Sequence, residues 1–304
     1  MSDFDWLFLL EVSLAGLGSG ALLALTGLAF VLIYKATRAV NLAIGEMLMI
    51  GAYAFFSFTA GLGLPWWAAI PVALVCGGLL GAVIERAVIR PMLGESAISV
   101  LMVTIGLGSV LVGSVELLWG AAPTQLPDFM GNAPVFLGPA YVSRKIVIGF
   151  AVAATVIALF ILAFRFWRGG VALRATATDQ GAAYSCGIDV PLVFSMAWVF
   201  AGVAAAGAGI LVGAVGGISP NMGVFGLSAL VVVIVGGLDS VAGALIGGLL
   251  VGLIEAWTGT YLGGEFKTLT TFGLLIAVLM VRPYGLFGTV EIERSEEHTS
   301  ELQS

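Results

Sequence analysis

Unbroken apolar runs recur along the whole chain, at about residues 8–34, 44–60, 66–84, 97–118, 146–164, 192–215, 225–237, 240–258 and 268–282. Most approach the roughly 20 residues that a helix needs to cross about 30 Å of hydrocarbon. The alternating ten-residue pattern of a membrane barrel does not fit them. A soluble domain of 304 residues that is 60% hydrophobic and 10% charged could not hide its apolar surface. The expected fold is therefore all-α, a polytopic transmembrane bundle of eight or nine membrane segments. The count is open because the run at 225–237 is short for a crossing. Gly236-Gly237-Leu238-Asp239-Ser240 separates it from the next run, as in a broken helix or a tight turn. Asp239 is the expected cap of the helix that follows.

Orientation follows from basic residues in the short loops. With the N-terminus outside, Lys35, Arg38, Arg86, Arg90, Arg165, Arg168, Arg174 and Arg282 fall inside, and Arg144, Lys145 and Lys267 outside. The opposite orientation would place most cations on the wrong side. The outer loop 119–143 carries Pro123, Pro127, Pro134 and Pro139, so it is expected to be irregular or to hold only a short helix. It could face a partner or merely connect two spans.

Residues 294–304, RSEEHTSELQS, break with the style of the chain and read as the translation of a sequencing-library adaptor. A natural polar tail is the alternative, and either way the tail is set apart from the membrane domain, 1–293. It contains the single histidine, so no metal site is expected. Two cysteines, Cys76 and Cys186, supply no disulfide framework. No basic n-region or cleavage site marks the first span for removal.

Forty-three glycines would burden soluble helices at about 1 kcal/mol each relative to alanine. Between membrane helices, small residues bring backbones together. Gly16/Gly20, Gly77/Gly81, Gly243/Gly247 and Gly248/Gly252 have that spacing and are read as packing faces, within the chain or between subunits. Gly77-Gly78-Leu79-Leu80-Gly81-Ala82-Val83-Ile84-Glu85 also echoes Gly247-Gly248-Leu249-Leu250-Val251-Gly252-Leu253-Ile254-Glu255. The two copies would run in opposite directions, as in an inverted repeat, a recurring transporter design. Short runs of small apolar residues also match by chance.

The longest polar interruption, about 165–190, is where a chain with so little soluble mass would meet a cytosolic partner. It contains Gly181-Ala182-Ala183-x-x-x-Gly187, which resembles the Glu-Ala-Ala-x-x-x-Gly coupling loop of ABC-importer permeases. Asn41-Leu42-Ala43-Ile44-Gly45-Glu46 resembles a segment near the start of branched-chain amino-acid ABC permeases. Leu173-Arg174-Ala175-Thr176-Ala177, Val233-Ile234-Val235-Gly236-Gly237-Leu238 and Arg282-Pro283-Tyr284-Gly285-Leu286-Phe287-Gly288 are similar to further parts of that family. The likeness covers about residues 13–288 and is closer to the shorter permease subunit than to its longer companion. Gly181 stands where many importers carry Glu.

The resemblance implies a permease subunit of an ATP-driven importer. Its expected partners are two cytosolic ATPase subunits, a second homologous permease subunit, an external solute-binding protein and the lipid bilayer, with no nucleic acid. The expected location is a bacterial-type inner membrane. No lysine follows a glycine, so the chain has no Gly-Lys-Ser/Thr phosphate loop. It is expected to be no enzyme and to bind no cofactor, with ATP used by the partners. Segment 172–190 is the expected coupling helix. In it Ala182, Ala183 and Gly187 would allow close packing, while Arg174 and Asp179 would fix orientation. Asn41 and Glu46 are candidates for the translocation path, against interfacial anchoring or capping near water at the start of span two. Glu116 and Glu255 are read as snorkelling to the outer surface. Branched-chain amino acids are the expected solutes; amides, urea and other amino acids are alternatives. A self-sufficient carrier or channel is the main competitor, but ionisable residues deep in several spans, which it would need, are scarce.

Overall fold

The computed structural model describes residues 3–92 and 94–288; the polar tail 294–304 lies outside them. The long helices are α1 (Asp3–Thr37), α2 (Ile44–Phe56), α3 (Trp66–Ile84), α4 (Ala97–Trp119), α5 (Arg144–Phe166), α8 (Val190–Gly216), α9 (Gly223–Gly236), α10 (Val241–Tyr261) and α11 (Phe266–Val281). Short helices α6 (Arg168–Thr178) and α7 (Gln180–Ser185) fill the polar interruption. π-turns extend α2 through Gly61 and α3 through Ile89, which a 3-10 turn carries on to Met92. Seven of these segments are long and apolar enough to cross a membrane, and α9 and α11 are shorter apolar helices. Together they account for the nine runs seen in the sequence. At 1.5 Å per residue, the 14 residues of α9 reach only about 21 Å.

α1 lies at the centre. Its apolar residues from Ala21 to Ile33 are almost fully buried, as expected of a helix that is hydrophobic all round. α8 is the second core element and packs on α1, α2 and α3. All four glycine pairs pack within the chain. Gly16 and Gly20 meet Gly252 and Gly248 across α1 and α10, where a methyl on Gly20 would come within 2.5 Å of the Gly248 carbonyl. Gly77 and Gly81 take the backbone of α8 at Gly202 and Trp198, and Gly243 and Gly247 take that of α9. Such contacts bring dispersion and close approach where apolar burial alone cannot favour one helix over lipid.

The outer loop departs from expectation. It holds no helix but a hairpin of β1 (Pro134–Leu137) and β2 (Ala140–Ser143), with Val135 opposite Val142. Thr124 also pairs with Ile218, tying the loop to the end of α8. The prolines are compatible with this because a two-stranded ribbon has edge positions that need no donor. Between α9 and α10, Gly237 turns the chain at φ 109°, outside the range open to other residues. Ser240, not Asp239, caps α10, accepting from the Gly243 N–H at 2.9 Å.

The two ends of the bundle differ in charge. Arg38 reaches the Ala177 carbonyl, Arg90 the Pro191 carbonyl, and residues 286–287 pair with Val235 and Gly236. These contacts gather the ends of α1, α3, α5 and α9, the start of α8, and α6 and α7, with the cations predicted to lie inside. At the other end, Glu11 accepts from the Tyr141 N–H, Trp119 donates to Ser57, and Lys145 lies 4.0 Å from Asp128.

Candidate functional site: a mid-bundle carboxylate and a two-part polar helix

From the exposed Arg38 the chain turns inward, and Asn41 and Ala43 are buried. The Leu42 N–H donates to Thr104 Oγ1 at 3.3 Å, and Thr104 lies seven residues inside α4, about 10 Å from its start. Irregular backbone at that depth is tolerated only when protein covers it. Asn41 makes this workable: it is 1% exposed, its Oδ1 accepts from the Ala43 N–H at 3.0 Å, and its Nδ2 lies 3.4 Å from Met47 Sδ. Of the alternatives for Asn41, contact with water at the membrane surface does not fit a side chain this buried, whereas a capping role at the start of α2 does. Its side chain is spent on holding the chain where α2 begins.

Glu46 sits in the first turn of α2, where the helix dipole favours an anion. A second helix start faces it. Gly223, the first residue of α9, is so close that a Cβ there would come within 2.6 Å of Glu46 Oε1. On the third side, a Cβ at Gly108 of α4 would lie 3.3 Å from the carboxyl carbon. The carboxylate thus occupies a gap that glycines leave between α2, α4 and the N-terminus of α9. Its Oε2 is buried with no hydrogen-bond partner among the described residues. A carboxylate held against three helices in this way carries a desolvation cost, which keeps Glu46 a candidate site residue. Sequence reading found Asn41 and Glu46 but not Gly108 and Gly223, whose relation to Glu46 exists only in three dimensions.

The polar segment is helical but divided. Asp179 ends α6 and caps α7, its Oδ1 accepting from the Ala182 N–H at 2.9 Å. α7 closes with Gly187 at φ 83°, and the Ile188 N–H reaches back to the Ala183 carbonyl at 3.1 Å. Among the described residues no atom would meet a Cβ on Gly187 within 4 Å, so its role in the fold is conformational. Ala183 points inward, packed with Ala36, Leu173, Val193 and Phe194, whereas Ala182 and Tyr184 face out. Arg174 donates to the carbonyls of Phe164 and Arg165, which fastens α6 to the end of α5. The five candidates thus share one structural unit, with Ala182 on its open face. An Asx cap followed by a helix-ending glycine was readable in Asp179-x-x-Ala182 and Gly187.

Next to this unit lies a polar cluster that sequence reading missed. Glu85, 2% exposed, accepts from Arg90 Nε at 2.9 Å and Nη2 at 3.3 Å, and from Ser195 Oγ at 2.9 Å. The π-turn Glu85–Ile89 brings residues five apart onto one face, a spacing that an ordinary helix would spread. The cluster pins the end of α3 to the start of α8, just after α7. Glu255, expected to reach the outer surface, instead accepts from Thr271 Oγ1 at 2.7 Å across α10 and α11.

Comparison with known proteins agrees with this architecture. The branched-chain amino acid transport permease protein LivH of Salmonella typhimurium is 32% identical, over 95% of this chain and 99% of its own length. BraD of Pseudomonas aeruginosa, also a branched-chain amino acid transport permease protein, is 31% identical over 92% and 95%. The solved structure of PsaBC from Streptococcus pneumoniae in complex with a Fab shares the fold, with a TM-score of 0.50 at 12% identity over 91% of this chain and 92% of that one. Residues 12–281 match the family described as branched-chain amino acid transport system, permease component, and the chain belongs to that family.

Proposed function

We propose that the chain is the shorter permease subunit of an ATP-driven importer for branched-chain amino acids. It would work with a second permease, two cytosolic ATPase subunits and an external solute-binding protein, in a bacterial-type inner membrane. The observation that carries this reading is the family match over residues 12–281. The end of the bundle that bears α6 and α7 faces the cytosol, in keeping with the excess of basic residues there. There α7 seats in the ATPase, and its motion passes through Asp179, Ala183 and the Glu85–Arg90–Ser195 cluster into α3 and α8. ATP is hydrolysed in trans. Glu46 lies on the translocation path, where a carboxylate would meet the ammonium group of a zwitterionic solute.

Cys186 gives a direct test, since it is exposed at the end of α7. In a Cys76→Ser background, a membrane-impermeant maleimide should label it in inverted vesicles and not in right-side-out ones. Assembly with the ATPase subunits should protect it. Labelling from the outside would overturn the orientation, and unchanged labelling on assembly would overturn docking at α7.

A further inference from the structure

A cavity of about 440 Å³ opens on the side of the bundle between α3 and α5, with α1 and α8 as its floor. Its shape follows from one row on α5: Arg144, Ile148, Val152, Val156 and Phe160, spaced by four and therefore aligned on one face. From Ile148 to Phe160 the row runs about 18 Å. That is close to one leaflet of a hydrocarbon layer about 30 Å thick. The lining is apolar except at one end. There Arg144 stands at the first residue of α5, exposed and without a hydrogen-bond or ion-pair partner among the described residues. Trp66, the first residue of α3, frames the same mouth and stacks on Phe129 with ring centres 6.2 Å apart. An aromatic ring beside a cation at a helix start is the usual dress of the headgroup level.

A transported amino acid does not suit this groove. Its lining offers no carboxylate for an ammonium, and the carboxylate near mid-bundle, Glu46, lies against α4 and α9 rather than here. A long apolar slot with a cation at its mouth, unpaired among the described residues, fits a molecule with a long apolar chain and an anionic head.

We infer that the groove holds one acyl chain of an anionic phospholipid, from the leaflet opposite the α7 end, with its phosphate on Arg144. This site is independent of the solute path and of coupling.

The test uses the assembled transporter in vesicles doped with phosphatidylglycerol or phosphatidylcholine bearing a photoreactive diazirine in the acyl chain. Cross-linked peptides are mapped by mass spectrometry. Labelling should fall on residues 148–160 and 203–211, with phosphatidylglycerol favoured about five-fold. Arg144→Gln should remove that preference while leaving the phosphatidylcholine signal. Gly207→Leu should abolish both signals. Among the described residues a Cβ there would meet Leu74 Cδ2 alone, at 3.5 Å, an ordinary contact, so the position has room for a side chain that enters the groove. Size-exclusion chromatography of the variant checks that it still assembles. Equal labelling by both lipids, indifference to Arg144→Gln, or capture of the companion permease at these residues would overturn the proposal.

Discussion

Removing Arg90 should damage the protein more than removing the charge of its partner. Glu85 is 2% exposed and Arg90 is 34% exposed, so the two ends of the ion pair have unequal recourse to water. Without Glu85, the guanidinium can turn to solvent and still reach Ser195 Oγ or the Pro191 carbonyl, at 2.8 and 3.3 Å. Without Arg90, the carboxylate keeps only the Ser195 hydroxyl among the described residues. Stranding a buried charge in this way costs about 3–5 kcal/mol. Glu85→Gln keeps the shape and an acceptor, and costs about 1–3 kcal/mol. Arg90→Met should therefore melt roughly 6 °C or more below the wild type. Glu85→Gln should fall by clearly less. The double variant Glu85→Met/Arg90→Met should recover much of the loss, because no charge is left unpaired. Fluorescence-detected size exclusion after heating in mild detergent ranks the four proteins. An Arg90→Met protein as stable as Glu85→Gln, or a double variant worse than Arg90→Met, would refute the reasoning.

Three further outcomes follow from the geometry. Gly187 holds a left-handed conformation that costs another residue about 1–2 kcal/mol, so Gly187→Val should lower ATP-driven uptake with normal membrane levels, and Gly187→Asn should be milder. Equal effects of Val and Asn would show that space, not φ, matters there. Glu46→Gln should reduce solute uptake about tenfold or more while ATPase assembly persists, and full uptake by this variant would remove Glu46 from the path. Gly20→Leu, driven into the backbone of α10 at Gly248, should cost 3 kcal/mol or more, roughly the upper range of overpacking; a monodisperse, fully stable variant would contradict that contact.

The nine apolar runs were legible because hydrocarbon imposes length and composition on every span. The glycine pairs were legible as packing faces, but not their partners, since spacing says that a face is flat and not what lies on it. Asn41 and Glu46 were picked out as polar residues at the edge of a run. Their depth was hidden, because it depends on residues 39–43 turning into the bundle and on α9 starting opposite α2. Glu85 and Arg90 were missed for a local reason: five-residue spacing becomes a contact only in a π-turn, which no residue pattern announced. The hairpin in the outer loop escaped because its prolines argued for irregular chain, while Val135 and Val142 pair regardless.

Dependence on partners tests the central claim most directly. Leucine uptake should be measured in proteoliposomes containing this chain, ended after Glu293, and its companion permease and ATPase subunits, with internal ATP and the external binding protein each supplied or withheld. The permease reading predicts uptake only when all are present. Uptake that persists without ATP and without the binding protein would point to a carrier or channel and contradict the account.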